Sequence, residues 1–378
     1  MRLLVNLNFR RRTLFFIANN RYLCVKISLF IIFITGIFDM KRRILIISLS
    51  IVAIASIAAA LLIAPFFLNK NEKDTIIYIY PDMTEVALED SIKARLGEDF
   101  GKKTSFMLKV LDAKAYNRTG AYLIPNGLSP YKAARKLQYG GQTGVKVIFN
   151  NVRFVDNFAE RVGKRLLMDK DDLLTLLKDS AFCAKYGKTP QTISTIFQPD
   201  SYEFYWTVKP EDFVDRMYHF YNKFWNEERL AKAKALGLTP DEVATLASIV
   251  EDETAKRDER GKVARLYLNR IKTRMKLQAD PTIIYAIGDY SIRRVYSYML
   301  KTDSPYNTYL HFGLPPGPIR FVEKSTLDAV LNAPSHNYIY MCAKEDFSGY
   351  HNFATSYSEH KANARRYQKE LNRRGIKR

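Results

Sequence analysis

The chain has 378 residues, 47% of them hydrophobic and 26% charged, with a formal net charge of +20 at pH 7. That basic balance invites a nucleic-acid reading, but no helix-turn-helix, zinc-finger or RNA-binding signature is present, so nucleic acid is not an expected partner. Three cysteines without framework spacing argue against a disulfide scaffold, and five scattered histidines argue against a metal centre.

The charge is uneven. Residues 1–43 hold nine Lys/Arg and one Asp, and the tail from Lys361 to Arg378 holds eight basic residues and one acid. Ile44 to Leu68 form 25 consecutive uncharged residues, and at about 1.5 Å per residue such a helix spans a ~30 Å hydrocarbon core. Lys41, Arg42 and Arg43 precede it directly. The positive-inside tendency therefore makes 1–43 a cytoplasmic leader, 44–68 a transmembrane helix, and the remainder external. Met40 followed by three basic residues reads as a natural start, so residues 1–39 are expected to come from an over-extended gene start.

About 310 residues follow the anchor, room for two domains. Ile76–Thr84 resembles Ala121–Ser129: an apolar β-rich run meets Pro with Asp or Asn, then Thr or Ser suited to cap a helix. The second copy continues as a helix over Pro130–Tyr139, stopped by Gly140-Gly141, with a returning strand over Val145–Phe149. Residues 74–150 thus resemble a small LysM-like glycan-binding module, and an ordinary α+β domain fits the same pattern. Two helical patterns follow between Phe154 and Asp179, with Asp169 capping the second. The aromatic segment Pro199–Trp206 comes next, then a long helix from Phe213 to Leu236. Cys183 and Cys342 are a candidate pair in an oxidising compartment.

The chemistry concentrates in three blocks. Thr239-Pro240-Asp241-Glu242 is a strong helix start with capping-box spacing. Along that helix Val243, Leu246, Ala247, Val250 and Thr254 share one face, Glu251 and Glu253 flank it on opposite sides, and Asp252 points to solvent. A carboxyl beside apolar packing has a raised pKa, which suits a general acid. Periodicity does not choose between the two glutamates. Downstream, Val263, Tyr267 and Ile271 mark another helix, Asp280-Pro281 begins a third, and Gln278 and Thr282 suit hydrogen bonding to sugar hydroxyls. Pro315-Pro316-Gly317-Pro318 forms a stiff loop near Asn307 and Tyr309.

Taken together, Ser248-Ile-Val-Glu-Asp-Glu-Thr254, Leu277-Gln-Ala-Asp-Pro-Thr282, Tyr306-Asn-Thr-Tyr309 and Gly313-Leu-Pro-Pro-Gly-Pro-Ile319 resemble the endolytic murein transglycosylase family (MltG, YceG-like). The resemblance implies an α+β chain with one N-terminal transmembrane helix, a small LysM-like module and a mixed α+β catalytic domain over 151–372. It places the catalytic role on Glu251, with Glu203, Gln278, Asp280, Thr282, Asn307, Tyr309 and His351 as substrate-binding candidates, and it implies neither cofactor nor metal. The implied reaction is internal cleavage of peptidoglycan glycan strands between N-acetylmuramic acid and N-acetylglucosamine, leaving a 1,6-anhydro end and ending strand elongation. The implied partners are glycan strands, peptidoglycan synthases and the inner membrane, with the large domain in the periplasm. The competing reading is a non-catalytic wall-binding scaffold of the synthesis machinery.

Overall fold

The computed structural model describes residues 40–375; the expectation for residues 1–39 lies outside them. Helix α1 (Met40–Leu68) contains 24 residues, Leu45–Leu68, long and apolar enough to cross a membrane. Its Leu, Ile and Val side chains are largely exposed, as befits a helix whose apolar length is not packed on protein except near its C-terminal end.

The described residues form a mixed α+β architecture in two compact units. The first takes the chain up to Ile77, then Thr84–Ala115 and Ile124–Gly140. Strands β1 (Thr75–Ile79) and β2 (Gly120–Ile124) pair with each other, and between them run α2 (Glu85–Leu96) and α3 (Glu98–Val110). The two halves of the internal repeat supply their caps: Thr84 Oγ1 accepts from Ala87 N at 3.2 Å, and Ser129 Oγ accepts from Lys132 N at 3.4 Å to start α4 (Pro130–Tyr139). Gly97 separates α2 from α3 at φ +87°, where a side chain would be strained. Sequence periodicity had not announced α3. Phe66 and Phe67, at the end of α1, meet Phe106 and Tyr131 with ring centroids 5.3 and 5.1 Å apart.

The second unit takes Tyr78–Met83, Tyr116–Leu123 and everything from Gly141 onward. The returning strand expected over Val145–Phe149 forms as β3 (Gly144–Phe149), but its partner is β4 (Asp200–Tyr205) rather than an earlier strand. The register explains the choice. Val145 faces Phe204 and Val147 faces Tyr202, so the buried faces of two alternating strands coincide. Between them lie α5 (Val155–Gly163), α6 (Lys170–Lys178) and α7 (Ser180–Ala184); Asp169 caps α6 as expected, accepting from Asp171 N at 2.8 Å. The expected long helix over Phe213–Leu236 is two, α8 (Pro210–Phe224) and α9 (Glu227–Ala235). Asn226 breaks the run, because its Oδ1 accepts from Arg229 N at 3.0 Å and starts a new helix.

The centre of this unit is α10 (Pro240–Glu253), opened by a full capping box on Thr239 and Glu242. Nine consecutive residues, Val243–Glu251, are buried, so the helix is enclosed on all sides rather than half-exposed. It packs against α9, α11 (Arg260–Lys272), α12 (Asp280–Ile287) and α13 (Lys324–Leu331). A hairpin of β5 (Tyr340–Ala343) and β6 (His351–Ala354) and the final helix α14 (Tyr357–Arg373) complete it. Cys183 and Cys342 are free thiols.

The proline-rich loop is tied to α10 where Ser248 Oγ accepts from Ile319 N at 3.0 Å. Within it, a Cβ on Gly317 would stand 2.2 Å from the carbonyl oxygen of Gln191. Gly317→Ala is therefore expected to destabilise the full chain by about 2 kcal/mol, the usual cost of overpacking. A denaturant midpoint equal to that of the wild type would contradict this.

Candidate active site

Helix α10 ends in three successive carboxylates, Glu251, Asp252 and Glu253, with no basic residue in its last turn. Negative charge is unfavourable at a helix C-terminus, so each carboxylate requires a partner from elsewhere or a reason to stay neutral. The structure treats the three differently.

Glu251 is closed in, its side chain 2% exposed. Its Oε2 accepts from Thr326 Oγ1 at 2.5 Å and from Glu323 N at 3.1 Å, with the Arg260 guanidinium 3.8 Å away. Its Oε1 lies 3.2 Å from Arg320 Nη2. The family resemblance sets the catalytic role on Glu251. The structure seats it in a buried ion cluster, among the residues that hold α13 and the 313–323 loop to α10. Asp252 also departs from its expected solvent position, since it is paired with Arg153 and with Arg320 Nη1, the latter at 2.6 Å.

Glu253 has no cation among its ion pairs or hydrogen bonds in the described residues, and its Oε2 is a buried acceptor without a hydrogen bond. Burial pushes its carboxyl up to about 7. The neighbouring charge of His351 and the Tyr267 hydroxyl oppose that rise, while Asp280 and Asp252 add to it. Tyr267, Tyr309 and Arg270 complete the surroundings: burial raises both phenols and lowers the guanidinium from its ordinary value.

Glu253 and Asp280 together line a cleft with a volume of about 880 Å³, bounded also by Asp252, Ile284, Arg293, Arg294, Tyr296 and three residues of α14. Asp280 opens α12 and accepts the Tyr309 hydroxyl at 2.5 Å, so two of the expected residues meet here. His351 is also close, oriented by Glu259: its Nδ1 lies 2.7 Å from Glu259 Oε2 and its N donates to Oε1 at 2.9 Å.

The other expected residues lie elsewhere. Asn307 is fully buried; its Nδ2 donates to Leu300 O and Thr302 O at 3.0 and 2.8 Å, and its Oδ1 accepts from Tyr309 N. Thr282 is likewise fully buried, its hydroxyl 2.8 Å from that of Thr308. Both shape the walls and neither lines the cleft. Gln278, at φ +51°, spends its Oε1 on Arg270 Nη2 at 3.0 Å. Glu203 lines a separate hollow of about 370 Å³ with Tyr202 and Lys324. Sequence reasoning treated Tyr267 as core and did not mark Arg270, Arg293 or Arg294. The i, i+3 spacing of Tyr267 and Arg270 on α11 was the available signal for the first pair. Among the described residues no group of His, Cys, Asp or Glu is arranged to hold a metal ion.

Two opposite stability effects follow. Glu251→Gln leaves Arg320 and Arg260 short of a buried anion and is expected to cost the full chain in detergent about 3 kcal/mol. Glu253→Gln does the reverse. The folded chain keeps a proton that the unfolded chain releases at 4.5, so wild-type stability falls as pH rises from there through about 7. The glutamine variant escapes that loss and should gain up to about 3 kcal/mol at pH 8 and nothing at pH 4, at about 1.4 kcal/mol per pKa unit. Chemical denaturation at the two pH values checks both, and equal responses of the two variants would contradict the assignment.

The model of the YceG-like family matches residues 88–366. The chain is 36% identical over 136 residues to the endolytic murein transglycosylase of Bacillus subtilis (strain 168), covering 36% of this chain and 37% of that protein. It is 33% identical over 114 residues to the endolytic murein transglycosylase of Streptococcus pneumoniae serotype 2, covering 29% and 21% of the two chains. These matches thus span well under half of either relative. Among solved structures, a yceG-like protein from Listeria monocytogenes superposes with a TM-score of 0.52 at 23% identity, covering 77% of this chain and 98% of that one; this establishes a shared fold.

Proposed function

The chain belongs to the YceG-like family, and we propose that it is a peptidoglycan lytic transglycosylase whose proton donor is Glu253. One observation carries the reading: of the three carboxylates at this helix end, Glu253 alone has no ion pair among the described residues, and it stands in a cleft with its carboxyl pushed up to about 7. A general acid works best when its pKa lies near the working pH.

In this reading a glycan strand lies in the cleft with the bond between N-acetylmuramic acid and N-acetylglucosamine beside Glu253. The Glu253 carboxyl gives its proton to the bridging oxygen, and the bond from that oxygen to muramoyl C1 breaks. The muramoyl 6-hydroxyl closes onto C1, and its proton returns to the carboxylate. No water is consumed, and the product is a 1,6-anhydro end. The tethered hydroxyl has an entropic advantage over a free nucleophile. Asp280, fixed by the Tyr309 hydroxyl, supplies negative charge to ease the oxocarbenium-like carbon. Glu251 and Asp252, both neutralised by arginines, hold the helix end in place.

The remaining assignments belong to the same proposal. Residues 74–150 act as a LysM-like glycan holder, which the β1–α2–α3–β2 arrangement with its paired strands supports. The apolar helix anchors the chain once in the inner membrane, with the cleft on the periplasmic side, where it ends nascent strands alongside peptidoglycan synthases.

Glu253→Gln is expected to abolish release of anhydro-ended fragments from purified peptidoglycan, a loss of at least ~100-fold, the lower end of what general-acid catalysis contributes. Wild-type turnover should fall as pH rises through about 7, as the carboxyl loses its proton. Mass spectrometry of digests reads both. Full activity in Glu253→Gln would return the role to Glu251, and free reducing ends would make the protein a hydrolase.

A further inference from the structure

Part of the cleft wall has no role in this chemistry. Past Ile284, the segment following α12 lines the cleft with Arg293, Arg294 and Tyr296. Arg153, Arg260 and Arg320 are all committed to carboxylates, whereas no ion pair among the described residues takes up Arg293 or Arg294. The Arg294 guanidinium lies 5.4 Å from the centre of the Tyr296 ring. Tyr296 in turn stacks on Tyr298, with centroids 6.1 Å apart and planes 9° from parallel, and Tyr298 is 71% exposed. Two adjacent guanidinia and the Tyr296 ring therefore line the cleft that contains the proton donor, with the exposed Tyr298 ring stacked beside it.

Aromatic faces suit sugar rings, but a neutral glycan backbone gives a pair of guanidinia nothing to neutralise. Guanidinium forks match carboxylates in shape and charge. A carboxylate carries a single charge, so Asp252 and Asp280 on the same cleft repel it less than they would a multiply charged phosphate. Building on the transglycosylase reading, we propose that Arg293 and Arg294 form a subsite for the carboxylates of the peptide side arms on the strand. The enzyme then selects strands that still carry their peptides.

The test compares peptide-bearing strands with strands stripped of peptide by an amidase, for the wild type and for Arg293→Gln/Arg294→Gln, with thermal stability confirming that the variant folds. Affinity by sedimentation and kcat/KM by product release are both measured. The wild type is expected to prefer peptide-bearing strands by about tenfold, through affinity and KM, the scale of one charge-assisted hydrogen bond. The double variant should bring that ratio to about one. A wild type without preference, or a variant that keeps it, overturns the subsite. Absence of turnover on both substrates overturns the transglycosylase reading instead, and the binding ratio still decides the subsite.

Discussion

Everything in the second unit turns on how three consecutive carboxylates are accommodated at the end of a buried helix. Glu251, Asp252 and Glu253 point in three directions from the last turn of α10, where the helix dipole already disfavours negative charge. Arg320 bridges the first two, with Arg260 and Arg153 adding to either side. Arg153 and Arg320 come from segments distant in sequence and Arg260 from the start of α11, so neutralising the helix end also fastens α11 and the 313–323 loop around it, and the Thr326 hydroxyl on Glu251 adds α13. The third carboxyl has no ion pair among the described residues, and burial pushes it up to about 7. One helix end thereby makes a rigid scaffold and a poised acid from the same residue type.

The supporting shell has the same economy. Residues that a motif would mark as ligands are largely spent on one another: Asn307 staples its own loop, Thr282 closes against Thr308, and Gln278 is held by Arg270. Of the motif carboxylates without an ion pair among the described residues, Glu253 and Asp280 reach the cleft, with Tyr309 behind the latter. A site whose walls are hydrogen-bonded internally loses little on binding an extended substrate, which suits a strand that has to be held in one register.

Much of this was legible in the sequence where the signal is local. Thr239 with Glu242, Asp169, Thr84 and Ser129 all cap helices at the residues their chemistry designates. The apolar helix was plain from composition. What the sequence hid depends on distant partners. The strand over Gly144–Phe149 chose β4 because buried faces matched across more than fifty residues. The helical wheel put Glu251 and Glu253 on equal footing, and Arg320 and Thr326, remote from α10, together with Arg260 at the start of the next helix, decide which one is sealed. Asp252 looked solvent-facing for the same reason. Motif resemblance located the acidic stretch and set the catalytic role on Glu251, the member that the arginines enclose.

The account rests on one buried carboxyl that has no ion pair among the described residues, and its titration tests that directly. Carbon-13 labelling of glutamate side chains, with Glu253→Gln identifying the resonance, gives the midpoint in the folded chain. A midpoint near 7 is the predicted result. A Glu253 carboxyl that is already ionised at pH 5, like an ordinary surface glutamate, would contradict the account and leave the cleft without a proton to give.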